Sequence, residues 1–194
     1  MGVTRQETVG GSTTASTSFT LTSWTPAAND LVLVGVMMRT TSITPSLSGN
    51  GLTFDLVTSR VNDRNQCAIY VFRAMGASPS TGQITVTLAG NTKPAWARAV
   101  RYSGANTSGS NGSGAIDAYS TNSSGSGAGD TNMQASTTTT SNSAQIAAFA
   151  VSRTSPTFTV PGGQSNIATN DSVGSGGDLI KAHTWEEATT TVGS

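Results

Sequence analysis

Apolar and polar residues alternate in short segments along this chain, and turn-forming residues separate the segments. In residues 16–24, Ser and Thr alternate with larger apolar residues, which predicts a strand with one face in a core. Residues 31–38 are continuously apolar and rich in Val, which favours a central strand covered on both faces. Further strands are predicted at 52–60, 66–74, 83–88, 95–102, 144–151, 156–160 and 178–186. Almost no helical period is present, so the chain is predicted to be all-β.

The regular succession of strands and turns predicts an antiparallel β-sandwich of jelly-roll or immunoglobulin-like kind. The Gly/Ser/Asn-rich residues 103–130 interrupt it and contain one apolar island, Ala115–Tyr119. Ile116 and Tyr119 need a place to bury, so we expect this surface connection to touch the sheet once. We divide the chain into a first β half at 1–104, a connection at 105–131 and an incomplete second β half at 132–194 that packs with the first.

An internal repeat is predicted because the two halves can be aligned. Strand 31–39 corresponds to 144–153, and strand 66–74 corresponds to 178–187. In the first half two more strands follow, whereas the second half has no counterparts before Ser194. Either the chain is a shortened form, or a strand from a neighbouring molecule completes the second half by β-augmentation. Chance similarity between Thr-rich strands is the third explanation.

Composition narrows the function classes. Only 10% of the residues are charged, and ten basic side chains balance ten acidic ones. The basic residues are scattered singly, so no basic stripe for nucleic acid is expected. Ser, Thr, Gly and Asn replace the usual Lys and Glu, which is typical of exported or virion β proteins. The N-terminus has no secretory signal pattern, and no apolar run approaches the roughly 20 residues that cross a bilayer.

Four segments carry a recognisable pattern: Ala27–Val34, Gly49–Phe54, Val71–Ala74 and Trp96–Gly104. They are an apolar strand after Asn-Asp, a turn followed by Leu-Thr-Phe, a strand ending in Arg-Ala and a strand ending in Tyr-Ser-Gly. This pattern resembles a widespread, largely uncharacterised family of bacterial and phage surface β-sandwich domains. The resemblance implies a sandwich of surface or virion type with no assigned activity. In such sequences a further strand usually follows the position where this chain ends.

Catalytic candidates are few. His183 is the single His, and it lies in a predicted strand with no Gly-x-Ser-x-Gly elbow elsewhere, so a Ser-His-Asp triad is not expected. Glu186 and Glu187 are adjacent and would point to opposite faces of a strand, so they cannot form a glycosidase pair. The Asp residues are expected mostly to cap turns; they are Asp30, Asp55, Asp63, Asp117, Asp130, Asp171 and Asp178.

Metal and ligand sites are also not expected. Calcium is the one alternative, at residues 62–65, although this segment lacks the spaced acidic run of a dedicated loop. One Cys and one His make zinc unlikely, and Cys67 is expected to be buried in its apolar strand. Trp24, Trp96 and Trp185 are expected in the core rather than on a sugar-stacking platform.

These observations together predict a non-enzymatic structural protein with no catalytic, cofactor-binding or metal-binding residues. A phage virion component, such as a capsid decoration or tail-surface protein, is the first expectation. Its partners would be copies of itself and other virion proteins, with surface glycans as a further ligand and without nucleic acid or membrane. A bacterial extracellular filament subunit, adhesin or carbohydrate-binding module is the alternative.

Overall fold

The computed structural model describes residues 2–123, 145–152 and 163–188. These residues form three antiparallel sheets, which confirms the all-β prediction. The strands are β1 (Thr4–Thr13), β2 (Ser18–Thr20), β3 (Leu31–Met38), β4 (Ser46–Gly49), β5 (Asp55–Val61), β6 (Ala68–Ala74), β7 (Ile84–Thr87), β8 (Ala95–Ser103), β9 (Gln145–Ser152), β10 (Ser165–Val173) and β11 (Ile180–Ala188). The first sheet has the order β1-β8-β3-β6-β5, the second β2-β7-β4 and the third β10-β11-β9.

Strand β3 lies at the centre of the first sheet, and both of its faces are covered. Val32, Val34 and Val36 point toward the second sheet, where Ile84 and Val86 complete a core. Met37 points to the opposite face and packs against residues of the third sheet. The continuous apolar pattern of residues 31–38 therefore reflects a strand between two layers, as predicted.

The third sheet packs on the face of the first sheet that the second sheet leaves open. Met37 and Trp96 contact a cluster with Val173, Ile180 and Ala182. Gly35 lies on the same face, and a Cβ at this position would overlap the ring of Phe149 from β9. Only Gly allows the aromatic ring to approach the strand this closely.

The third sheet repeats part of the first sheet in order and in register. Part of the first sheet has the order β3-β6-β5, and the third sheet has the order β9-β11-β10. In both, the strand that comes last in the sequence lies between the other two. When the aligned ranges are matched at their C-terminal ends, Val36 and Tyr70 correspond to Ala150 and His183, and both pairs are partners across neighbouring strands. Both sheets also have a register shift at the same place, between Leu56 and Thr58 and between Asn166 and Ala168. The counterparts of β7 and β8 that the alignment lacks would lie after residue 188, outside the described residues.

Three strands were not predicted: β1, β4 and β10. Strand β1 contains Gly10 and Gly11, and Gly is disfavoured in the interior of a strand. A Cβ at Gly11 would collide with the backbone carbonyl of Thr20, so Gly here lets the crossing chain approach closely. The strand predicted at 52–60 begins only at Asp55, and the strand predicted at 156–160 lies outside the described residues.

The apolar island after the first sheet behaves only partly as predicted. Ala115 and Ile116 pack beside a cluster that includes Leu31 and Met75. Tyr119 does not, since it is 62% exposed, and the prediction that it buries is wrong. Cys67 is buried as predicted.

Candidate functional site

Charged and aromatic side chains meet between the first and third sheets. We call this group the interlayer cluster and define it as Arg5 of β1, Arg98 and Tyr102 of β8, Asp171 of β10 and Glu186 of β11. Strand alternation places Arg98 and Tyr102 on one face of β8, toward the third sheet. The same alternation directs Asp171 and Glu186 from the third sheet toward them.

Arg98 occupies the middle of the interlayer cluster. Its neighbours across the two adjacent strands are Gly10 and Gly35, which leave room for a large side chain. The Arg98 guanidinium carbon lies 4.5 Å from the centre of the Trp96 ring, and Nη2 donates to Asp171 Oδ2 at 2.7 Å. A planar guanidinium both stacks on an aromatic ring and pairs with a carboxylate, whereas an ammonium would do so less well.

Glu186 joins the two layers at the other end of the cluster. Arg5 Nε donates to Glu186 Oε1 at 2.6 Å, and the Tyr102 hydroxyl donates to Oε2 at 3.3 Å. Burial raises the pKa of Tyr102, and the negative charge of Glu186 and its hydrogen bond raise it further. Tyr102 therefore stays protonated and donates a hydrogen bond to Glu186. Its role is to position that carboxylate rather than to act as an acid or base.

A polar groove lies between the ends of β1 and β8 on one side and the segment that joins β10 and β11 on the other. Its volume is about 440 Å³, and Thr14, Ala15, Thr92, Pro94, Gly174, Ser175 and Asp178 line it. Lys93 Nζ lies 2.9 Å from Asp178 Oδ2 at the rim, and the Arg39 guanidinium donates to the carbonyl of Gly177. Hydroxyls and one carboxylate dominate the walls, so the groove suits a small polar ligand more than an apolar one.

No family model, curated protein or solved structure matches this chain.

His183 lies on the face of β11 opposite to that of Glu186. It is buried with 1% of its surface exposed, and its ring centre lies 5.2 Å from that of Trp185. Burial lowers the pKa of His183, although the charge of Asp171 opposes this. The groove lining does not include His183.

Acidification below pH 6.5 is expected to lower the free energy of unfolding through His183. The unfolded His titrates near its ordinary pKa of 6.5, and the folded one titrates lower, so the unfolded chain binds the extra proton between these values. The stability contributed by the neutral ring is complete above pH 6.5 and is lost as the pH falls toward the folded pKa. Urea unfolding from pH 7.5 to 5.0 measures this slope.

His183→Gln is the control for that slope, since the chain contains one His. The variant should show a flatter dependence over the same interval, whatever its overall stability. Equal slopes in both proteins would show that His183 is not the group responsible.

The predicted Asp roles need correction. Asp55 and Asp171 lie on strands, not in turns, and they pair with Arg73 and Arg98. Asp30 is buried beside Arg101, with 3.5 Å between Oδ2 and Nε, and burial raises its pKa against the effect of that cation. The Asp171–Arg98 pair thereby joins strands whose paired residues are 73 positions apart in the sequence.

The segment proposed for calcium forms the turn between β5 and β6. Asn62 Oδ1 accepts from the backbone amides of Gln66 and Cys67, and Asp63 accepts from Arg60 at 3.1 Å. Among the described residues no group of three or more His, Cys, Asp or Glu is placed to hold a metal ion. The described residues also contain no helix that is long and apolar enough to span a membrane.

The core prediction for tryptophan is confirmed for Trp24 and Trp96, which are 4% and 7% exposed. Trp185 is partly buried. Sequence reasoning did not single out Arg5 or Arg98. One signal was available, because Arg98 interrupts the apolar strand 95–102 at a position that alternation assigns to a covered face.

Proposed function

We propose that this chain is a non-enzymatic structural protein that acts through contacts between subunits, as a component of a phage virion. Within this proposal the fold is a jelly-roll or immunoglobulin-like sandwich to which a further sheet is added. The protein works in a virion or outside a cell, without cofactor, nucleic acid or membrane. Its partners are copies of itself and other virion proteins.

One observation carries the proposal: the chemically versatile side chains are used to join the layers. Arg5, Arg98 and Tyr102 contact Glu186 and Asp171 of the third sheet instead of converging on a cleft. Partly buried charge pairs of this kind fix the relative positions of two sheets more than they add net stability. A stack of sheets with a surface of short hydroxyls and amides suits repeated packing in an assembly.

Mass spectrometry of gradient-purified phage particles from the source tests the proposed function. Peptides of this chain should co-sediment with the particles in many copies per particle, since a decoration or tail-surface protein repeats with the symmetry of its support. Recovery of the chain only in the soluble fraction of the lysate would overturn the virion assignment.

The polar groove favours a second candidate, a carbohydrate-binding module or adhesin. The groove offers three hydroxyls and a carboxylate, which can form hydrogen bonds with the hydroxyl groups of a sugar. These groups belong to Thr14, Thr92, Ser175 and Asp178. Calorimetric titration with a panel of oligosaccharides tests it, with Asp178→Asn as the comparison. Binding that the substitution weakens would support this candidate, and heat of dilution alone would remove it.

A further inference from the structure

The two parts of the chain carry opposite charge. Residues 1–104 hold eight of the ten basic side chains and four of the ten acidic ones, a formal charge of +4. Residues 105–194 hold two basic and six acidic side chains, a formal charge of −4. The whole chain is neutral because the opposite charges of its two parts cancel.

The structure brings these opposite charges together at one interface. The pairs are Arg5–Glu186 at 2.6 Å, Arg98–Asp171 at 2.7 Å and Lys93–Asp178 at 2.9 Å. In every pair the cation belongs to the first part and the anion to the second. Complementary potentials of this kind determine which surfaces associate and in which register.

An apolar centre accompanies the charges. Met37 and Trp96 of the first sheet pack with Val173, Ile180 and Ala182 of the third, Arg98 stacks on Trp96, and the three ion pairs are each partly exposed. An apolar core with a polar rim is the anatomy of an interface between separate proteins. The third sheet is therefore attached to the first as a partner would be.

The covalent link between the two parts is long. Ser123 and Gln145 are separated by 21 residues, which span at most roughly 75 Å when extended. A folded chain of this length has a diameter of about 42 Å. The link is thus long enough for the third sheet to reach the first sheet of a neighbouring copy.

We propose that copies of this chain assemble by exchanging their third sheets, so that β9, β10 and β11 of one copy pack on β1, β8 and β3 of the next. This inference rests on the proposed function and adds the surface and the partner to it. Exchange between copies forms the same contacts that each copy forms internally. The local concentration of the chain therefore decides whether the internal or the exchanged arrangement prevails. A link of about this length gives the internal contact an effective concentration on the order of 1 mM, which copies crowded on a particle would match. Reciprocal exchange closes a dimer, and sequential exchange forms an open chain.

Complementary charge reversal tests the exchange. An acidic variant, Arg5→Glu with Arg98→Asp, makes both sides of two ion pairs negative, and a basic variant, Asp171→Arg with Glu186→Arg, makes them positive. Each variant repels its own third sheet, whereas a mixture restores all pairs only by reciprocal exchange. Light scattering should give about 19.6 kDa for each variant alone and twice that mass for the mixture.

The matched control carries all four substitutions in one chain. It restores both pairs internally and, at about 10 µM, where the internal contact prevails, should be a monomer with a melting temperature close to that of the unmodified protein. A control that folds beside a mixture that stays monomeric would overturn the exchange. If either double variant fails to fold, Lys93→Glu and Asp178→Lys repeat the test at a pair whose side chains are each 45% exposed.

The outcomes also separate the two proposals. Particles that contain the chain, together with a mixture that does not pair, would overturn exchange and leave the virion function intact. A mixture that pairs, together with particles that lack the chain, would overturn the virion function and leave exchange intact.

Discussion

Gly35→Ala is expected to lower the free energy of unfolding by about 2–3 kcal/mol, because the new Cβ overlaps the Phe149 ring. Phe149→Ala is expected to cost about 3 kcal/mol through loss of its packing between the sheets. The double variant should lose no more than Phe149→Ala alone, since removal of the ring frees the space that the Cβ needs. Urea unfolding of the four proteins measures this coupling of about 2 kcal/mol.

Gly177→Ala provides the control for this cycle, because a Cβ at Gly177 meets no atom within 4 Å. Its stability should stay within about 0.5 kcal/mol of the unmodified protein. Additive losses from Gly35→Ala and Phe149→Ala would show that the third sheet does not rest on Gly35.

Asn50→Ala is expected to cost about 4 kcal/mol, the second large effect. Asn50 is 4% exposed, and its Oδ1 accepts from Trp24 Nε1 at 3.0 Å. Its Nδ2 donates to the carbonyls of Ser80 at 2.9 Å and Gly82 at 3.2 Å. Ala leaves the buried indole N–H of Trp24 without a partner, at about 1–3 kcal/mol, removes the hydrogen bonds to Ser80 and Gly82, at about 1 kcal/mol each, and strains a backbone φ of 52°.

Asn29→Ala separates the two causes. Asn29 has a similar φ of 60°, but its side chain is exposed. Its loss should be about 1 kcal/mol, the cost of backbone strain alone. Thermal and urea unfolding of both variants measure the difference, and equal losses would show that the Asn50 hydrogen bonds contribute nothing.

The sequence pattern predicted a strand correctly where the burial of its residues is regular along the whole strand. Residues 31–38 are apolar at every position because two layers cover β3, and residues 66–74 alternate because β6 has one deeper face. The alignment with 144–153 and 178–187 located β9 and β11 for the same reason. Strand β10 escaped prediction because its polar residues 165–173 form an edge with two register shifts, which needs little apolar surface.

The interlayer cluster could be predicted only in part. The opposite directions assigned to Glu186 and Glu187 follow from strand geometry, and Glu186 does point between the sheets. Its partners Arg5 and Tyr102 lie more than 80 residues away in sequence, and nothing local indicates such pairing. Gly10 and Gly35, which make room for Arg98 and Phe149, acquire their meaning only when the sheets are stacked.

The mass of the unmodified chain in solution, measured by light scattering with intact mass spectrometry from about 10 µM to about 1 mM, tests the central claim most directly. Assembly through subunit contacts predicts that the particle mass rises from 19.6 kDa to multiples of it across this range. A mass of 19.6 kDa at every concentration would contradict an account in which copies of this chain are their own partners.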